Sequence, residues 1–262
     1  MKKNLSITKM GHSGKTCETC HKPHRAEQPH RADKPRREEQ HERKKPKREK
    51  ERKRISSKKG SIRVVHNIAG ASNVDVYIDS QKVLSNMAYK HVSGYLTLDR
   101  GIYQIKVASF KSRKTLIRGT LKVRGGTFNT AIAVGSASDS RSLKLLAVRD
   151  DSGCPMSGKA RLRFVHGAAE APAVRVIVDG ERMLEAVNFG DVSEYLNLEA
   201  PETYNVEIER ENDNVKILQV MLTVEDKQNL TVIASGIPGD TSAAFTAIPL
   251  IDNEGMCISI FQ

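Results

Sequence analysis

The chain has 262 residues, 38% of them apolar and 5% aromatic, and a formal net charge of +12. This is length enough for two domains with cores of their own, and no run approaches the roughly 20 apolar residues of a membrane-spanning helix. Residues 1–60 hold 21 Lys+Arg against 8 Asp+Glu, a net of +13, while the remainder sums to −1. The later part therefore reads as near neutral, and attraction to an anionic partner is expected of the first 60 residues.

Those 60 residues read as a disordered basic tail, because almost nothing apolar follows Met10 to offset the entropy of ordering. Met1 to Lys15 has no apolar stretch of the kind a secretory signal needs, so synthesis in the cytoplasm is expected. Cys17-Glu18-Thr19-Cys20-His21 is the sharpest local motif. C-x-x-C-H is the attachment pattern of c-type haem, which requires export and a folded pocket. Zinc is the second reading, with Cys17, Cys20 and His24 as ligands, although a second thiol pair is missing. Thiols held for intermolecular disulfides are the third.

Pro23-His24-Arg25-Ala26-Glu27-Gln28 then recurs as Pro29-His30-Arg31-Ala32-Asp33-Lys34, and a proline every six residues opposes a continuous helix. The run from Arg43 to Arg54, with Arg43, Lys44, Lys45, Lys47, Arg48, Lys53 and Arg54, is the candidate site for an anionic polymer. It lacks aromatic residues for base stacking, and its glutamates dilute the field. A solvated spacer is the competing reading.

From residue 61 the chain repeats itself 100 residues later. Ile62-Arg63-Val64-Val65-His66 returns as Leu162-Arg163-Phe164-Val165-His166. Val74-Asp75-Val76-Tyr77-Ile78-Asp79 returns as Val174-Arg175-Val176-Ile177-Val178-Asp179. Val92-Ser93-Gly94-Tyr95-Leu96 returns as Val192-Ser193-Glu194-Tyr195-Leu196. Within each copy apolar and polar residues alternate, as at Val74, Val76 and Ile78, which predicts half-buried strands. Leu116 to Val123 and Phe128 to Val134 are two further strands, joined across Arg124-Gly125-Gly126, and Gly135 reads as a turn. About seven short strands per copy, with almost no helical periodicity, predict an all-β chain of two tandem antiparallel immunoglobulin-like β-sandwich domains. The expected boundaries are 1–60 for the tail, 61–150 for the first sandwich, 151–160 for a linker and 161–262 for the second. Met256 to Phe261 reads as one more strand, a possible partner for an exposed sheet edge.

The order of strand, Val-His, short loop, V-x-V-x-V/I-D and then V-S-x-Y-L-x-L resembles the bacterial domain-of-unknown-function family DUF4397, present as two tandem copies. Phe164 to Val174, with Pro172, looks closest to the family's usual segment, whereas Asn67 to Asn73 lacks the proline. The resemblance implies β-sandwiches in secreted, envelope-associated or surface-layer proteins, with no catalytic residues to carry over. Members without a signal peptide in spore formers look like spore-coat candidates.

His66 and His166 end the first strand of each copy and are read as bonding a neighbouring loop backbone rather than a metal. Asp79 and Asp179 are read as bonding the backbone of the turns that follow them. Tyr95, Tyr195, Tyr103 and Tyr204 are expected to pack their rings in the core and bond their hydroxyls at its edge. Four cysteines make no disulfide framework, and Cys154 and Cys257 read as available for cross-links between molecules.

No catalytic motif emerges, and no cofactor is expected apart from the zinc reading of the tail. The sequence thus points to a non-enzymatic structural protein of a coat or envelope, anchored or cross-linked through its tail. Its expected partners are other coat or envelope proteins or further copies of itself. The alternative is a binding module that recognises a glycan or a protein through loops Asn67–Asn73 and Gly167–Ala173.

Overall fold

The computed structural model describes residues 58–257. The candidate tail ligands Cys17, Cys20 and His24, and the basic run Arg43 to Arg54, lie outside the described residues. Sixteen strands and no helices make up the described part.

The first copy contributes β1 (Lys59–Ala69), β2 (Val74–Ile78), β3 (Gln81–Met87), β4 (Leu96–Asp99), β5 (Gly101–Ser109), β6 (Thr115–Val123), β7 (Phe128–Ser136) and β8 (Asp139–Asp150). The second contributes β9 (Lys159–His166), β10 (Val174–Val178), β11 (Glu181–Val187), β12 (Leu196–Glu199), β13 (Glu202–Arg210), β14 (Lys216–Val224), β15 (Asn229–Ser235) and β16 (Thr246–Ile251). Each copy is a sandwich of two four-stranded sheets. In the first the sheets run β3-β2-β5-β6 and β4-β1-β7-β8; in the second, β11-β10-β13-β14 and β12-β9-β15-β16.

The alternation seen in sequence lines each core. Val74, Val76, Ile105 and Val107 of one sheet meet Ile62, Val64, Ala131 and Ala133 of the other. Val174, Val176, Val206 and Ile208 meet Leu162, Phe164, Val232 and Ala234 in the second copy. β1 pairs with β7 in parallel, as β9 does with β15, and every other ladder is antiparallel. Alternation reports which face a residue occupies and is blind to strand direction, so these two parallel pairs left no mark on the sequence. Arg124-Gly125-Gly126 does not close a hairpin within one sheet: it carries the chain from β6 in one sheet to β7 in the facing one. Gly135 lies inside β7, at φ 133° and beside a register shift, where an added Cβ would sit 2.9 Å from Leu143 Cα. It marks a bulge rather than a turn.

The β2–β3 connection is a two-residue hairpin with positive φ at both Asp79 and Ser80, and Asp179-Gly180 repeats it. The aspartate carboxylates do not bond their own turns. Asp79 Oδ1 accepts from the backbone N–H of Gln104 on β5, and Asp179 Oδ1 from that of Asn205 on β13, each at 2.8 Å. At the end of the described chain, Met256 lies in a turn and Cys257 outside any strand; the rest of the expected last strand lies outside the described residues.

Cys154 and Cys257 are bonded to each other, which overturns their reading as intermolecular cross-linkers. The linker and the final turn meet because Asn229 holds both. Its amide donates to the carbonyls of Asp151 and Gly153, and its backbone N–H donates to Asn253 Oδ1.

Candidate functional site: the seam between the repeats and the faces it leaves free

The strands β1, β7, β9 and β15 are buried along almost their whole length, which one sandwich core cannot explain. Their second face is covered by the other repeat. Val65, Ile132, Val134 and Val148 of the first copy pack with Val165, Ile233, Ile248 and Leu250 of the second. The sheets β4-β1-β7-β8 and β12-β9-β15-β16 are thus the inner layers of a four-layer stack. The sheets β3-β2-β5-β6 and β11-β10-β13-β14 are its outer layers.

A crossed set of buried charges pins the seam. Arg63 Nη2 bonds Asp252 Oδ1 of the other copy, and Arg163 Nη2 bonds Asp150 Oδ1 at 3.0 Å in the reverse sense. Each guanidinium also reaches a carbonyl across the seam: Arg63 that of Ile251 at 2.8 Å, Arg163 that of Arg149 at 2.7 Å. Each Nε donates to a threonine of its own copy, Thr130 for Arg63 and Thr231 for Arg163, and those hydroxyls donate on to Asp150 and Asp252. Tyr95 and Tyr195 complete the pattern, donating to Asp150 at 2.8 Å and Asp252 at 2.6 Å while each ring lies against the arginine of its own copy. The tyrosine rings therefore sit at the seam, and their hydroxyls serve a buried carboxylate.

Burial, and then the charge of Asp150, push the Tyr95 hydroxyl far above its usual range; Tyr195 is pushed up likewise, with Asp252 as the neighbouring charge. Both remain donors at any physiological pH. Burial, then the neighbouring Asp150, also raises the Asp252 carboxyl. Two arginines against two aspartates leave no net charge, and every carboxylate oxygen has a donor. The cluster is built to hold two sheets in one register, not to pass a proton.

The repeated sequence blocks find their reasons here. Ser93 and Ser193 accept the backbone N–H of Val64 and Phe164, while Val92 and Val192 bridge to Val65 and Val165. His66 and His166 are fully buried, and Nε2 of each bonds a loop carbonyl, Ser72 at 3.3 Å and Pro172 at 3.0 Å. Burial pushes His66 down to about 4, against the smaller upward pull of that carbonyl, and lowers His166 in the same way. These are neutral fixing residues. The loops expected to bind a ligand touch across the two copies at single residues: Asn67 donates to the Gly167 carbonyl and accepts from Ser235, and Glu170 accepts from Ser136 and Ser138. Among the described residues no three His, Cys, Asp or Glu side chains are placed to hold a metal ion, and no helix is long and apolar enough to cross a membrane.

At the mouth of the seam an open polar cleft of about 350 Å³ is lined by Thr127, Arg149, Asp150, Asp151, Ser152 and Tyr195. Two neighbouring depressions share Lys122 and Arg124 and extend the basic lining to Arg100 and Arg149.

The model of the family described as "Domain of unknown function (DUF4397)" matches residues 60–177 and again 165–256. The chain belongs to the DUF4397 family. The two matches correspond to the two sandwiches of this DUF4397 protein, and the crossed seam lies between them. No curated protein matches the chain. Among solved structures, CBMbc (family CBM26) from Eubacterium rectale Amy13K, in complex with maltoheptaose, is similar over 72% of this chain and 95% of that one, at 11% identity and a TM-score of 0.22. A likeness that slight carries no argument about function.

Sequence reading missed Arg63, Arg163, Thr130, Thr231, Asp150 and Asp252 as a set. The signal was present: a charged residue between apolar neighbours in the first strand, at the same place in both copies.

Proposed function

We propose that this is a non-enzymatic structural protein of a coat or envelope layer, in a spore former the spore coat. Its two repeats act as one rigid block, and the basic tail of residues 1–60 anchors or cross-links that block to other layer proteins or to further copies. The observation that carries the reading is the crossed Arg63–Asp252 and Arg163–Asp150 seam. A buried, fully bonded charge cluster spends the inner faces on internal rigidity and leaves the outer sheets and the tail as working surfaces. The side chains that most resemble catalytic groups, the two aspartates and the two histidines, are saturated and buried.

Fractionation of cells and spores tests the reading. The protein is expected with the insoluble coat or envelope material. Recovery as a soluble monomer from every cell state would overturn it.

A further inference from the structure

The near-zero charge of the two repeats is a cancellation. Residues 61–150 hold 14 Lys+Arg against 5 Asp+Glu, a net of +9, while residues 151–262 hold 8 against 18, a net of −10. Ion pairing sharpens the contrast. All eight Lys and Arg of the second copy are ion-paired, from Lys159 with Glu199 to Lys227 with Asp226. In the first copy, Arg100, Lys106, Arg118, Lys122, Arg124 and Arg149 have no ion pair with a described carboxylate.

Three of them, Lys106, Arg118 and Lys122, lie on the outer sheet of the first copy. Across the outer sheet of the first copy, register sets Lys82, Tyr77, Lys106 and Arg118 in one row, with Lys122 further along β6 opposite Ile102. The two carboxylates on that sheet are engaged locally, Asp75 by Lys82 and Asp79 by the Gln104 N–H. The equivalent row of the second copy reads Arg182, Ile177, Glu207 and Gln219. Glu207 of that row is paired with Lys216 and Asp179 is held by the Asn205 N–H, while Glu209 lies on the same sheet without an ion pair among the described residues. Each outer layer also exposes one large apolar side chain, Ile102 at 66% and Met221 at 65%.

We propose that the outer sheet of the first repeat docks on the outer sheet of the second repeat of another copy of this chain. The two faces lie at opposite ends of the four-layer stack, so the contact is head-to-tail and leaves both outer ends free to add further copies. Such a heterologous contact propagates into a file of molecules rather than closing into a dimer. A polyanion is the competing occupant of the cationic face. The second copy is favoured because the same chain carries a net charge of −10 on a repeat of the same fold. Tyr77 is no stacking platform for a base either, since Lys106 Nζ already sits 3.8 Å from its ring centroid. The inference gives the layer of the proposed function its mechanism of assembly and rests on that reading for its purpose. It is tested on purified protein, so its failure would leave the cellular location untouched.

The experiment is light scattering and sedimentation of the full-length protein as a function of concentration and salt. Apparent mass is expected to rise severalfold with concentration at low ionic strength and to return to that of the monomer at about 0.5 M salt, where charges are screened beyond a few ångströms. The triple variant Lys106→Glu/Arg118→Glu/Lys122→Glu, and the reciprocal Glu207→Lys/Glu209→Lys, should each remain monomeric. An equimolar mixture of the two should assemble again, because each cationic face then meets an anionic one. Circular dichroism of each variant establishes that it is folded. Assembly that persists in the first variant, or a mixture that stays monomeric, would overturn the proposal; in the first case the basic tail holds the acidic face, and in the second a polyanion becomes the partner of the cationic one.

Discussion

Arg63 and Asp252 stand 189 residues apart and bond each other in the seam between the repeats. Both belong to the seam rather than to the core of either sandwich. Removing one partner leaves the buried cluster with an uncompensated charge. Arg63→Met should therefore lower stability by about 3–5 kcal/mol, whereas Arg63→Met with Asp252→Leu should recover much of that loss. Urea unfolding of the two variants and wild type measures both.

The buried histidines set the response to acid. His66 has a folded pKa of about 4 against an ordinary 6.5, so between those values the unfolded chain binds a proton that the folded one refuses. Its contribution is complete above pH 6.5 and is lost as pH falls toward 4, by about 3 kcal/mol in all. Asp252, raised by burial, acts in the opposite sense above the ordinary carboxylate range. Thermal unfolding from pH 7.5 down to about 4.5 should show a falling Tm for wild type and a flatter profile for His66→Gln.

The disulfide closes a span of 103 residues around the second repeat. Its loss frees the unfolded chain, so Cys154→Ser should cost about 2–5 kcal/mol. Reductant should lower the Tm of wild type and leave that of the variant unchanged. Peptide mapping without reduction should recover the Cys154–Cys257 pair.

Gly119 and Leu145 close the open side of the first sandwich, where a Cβ on Gly119 would lie 2.9 Å from Leu145 Cδ2 and 3.1 Å from its Cβ. The second copy has Val220 at the place of Gly119, and there an apolar cleft of about 200 Å³ opens among Val206, Val220, Leu222, Val232 and Ala247. Gly119→Val should cost about 1–3 kcal/mol by overpacking, and pairing it with Leu145→Ala should relieve part of that cost. Denaturant midpoints decide the matter.

Much of this fold could be read from residues such as Val74, Val76 and Ile78, whose alternation marks one buried face, and from Asp79 and Asp179, which sit where hairpins require positive φ. His66 could be read as a fixing residue because nothing capable of ligating a metal repeats beside it. The seam could not be read in the same way. In an isolated sandwich Arg63 and Val65 would belong to the outward face of β1, and only the covering by the second copy makes that face a core. The cysteine pairing depended on Asn229 gathering two distant segments, a contact no spacing rule supplies. The polarity of the stack lay open in the composition but vanished in a sum taken over both copies.

The seam is expected to make one cooperative body of the two repeats. Differential scanning calorimetry of the full-length protein, in wild type and Arg63→Met, tests it most directly. Wild type is expected to show a single transition whose calorimetric and van't Hoff enthalpies agree, shifted as a whole to lower temperature by the substitution. Two separate transitions in wild type, or a substitution that moves only one of them, would contradict it.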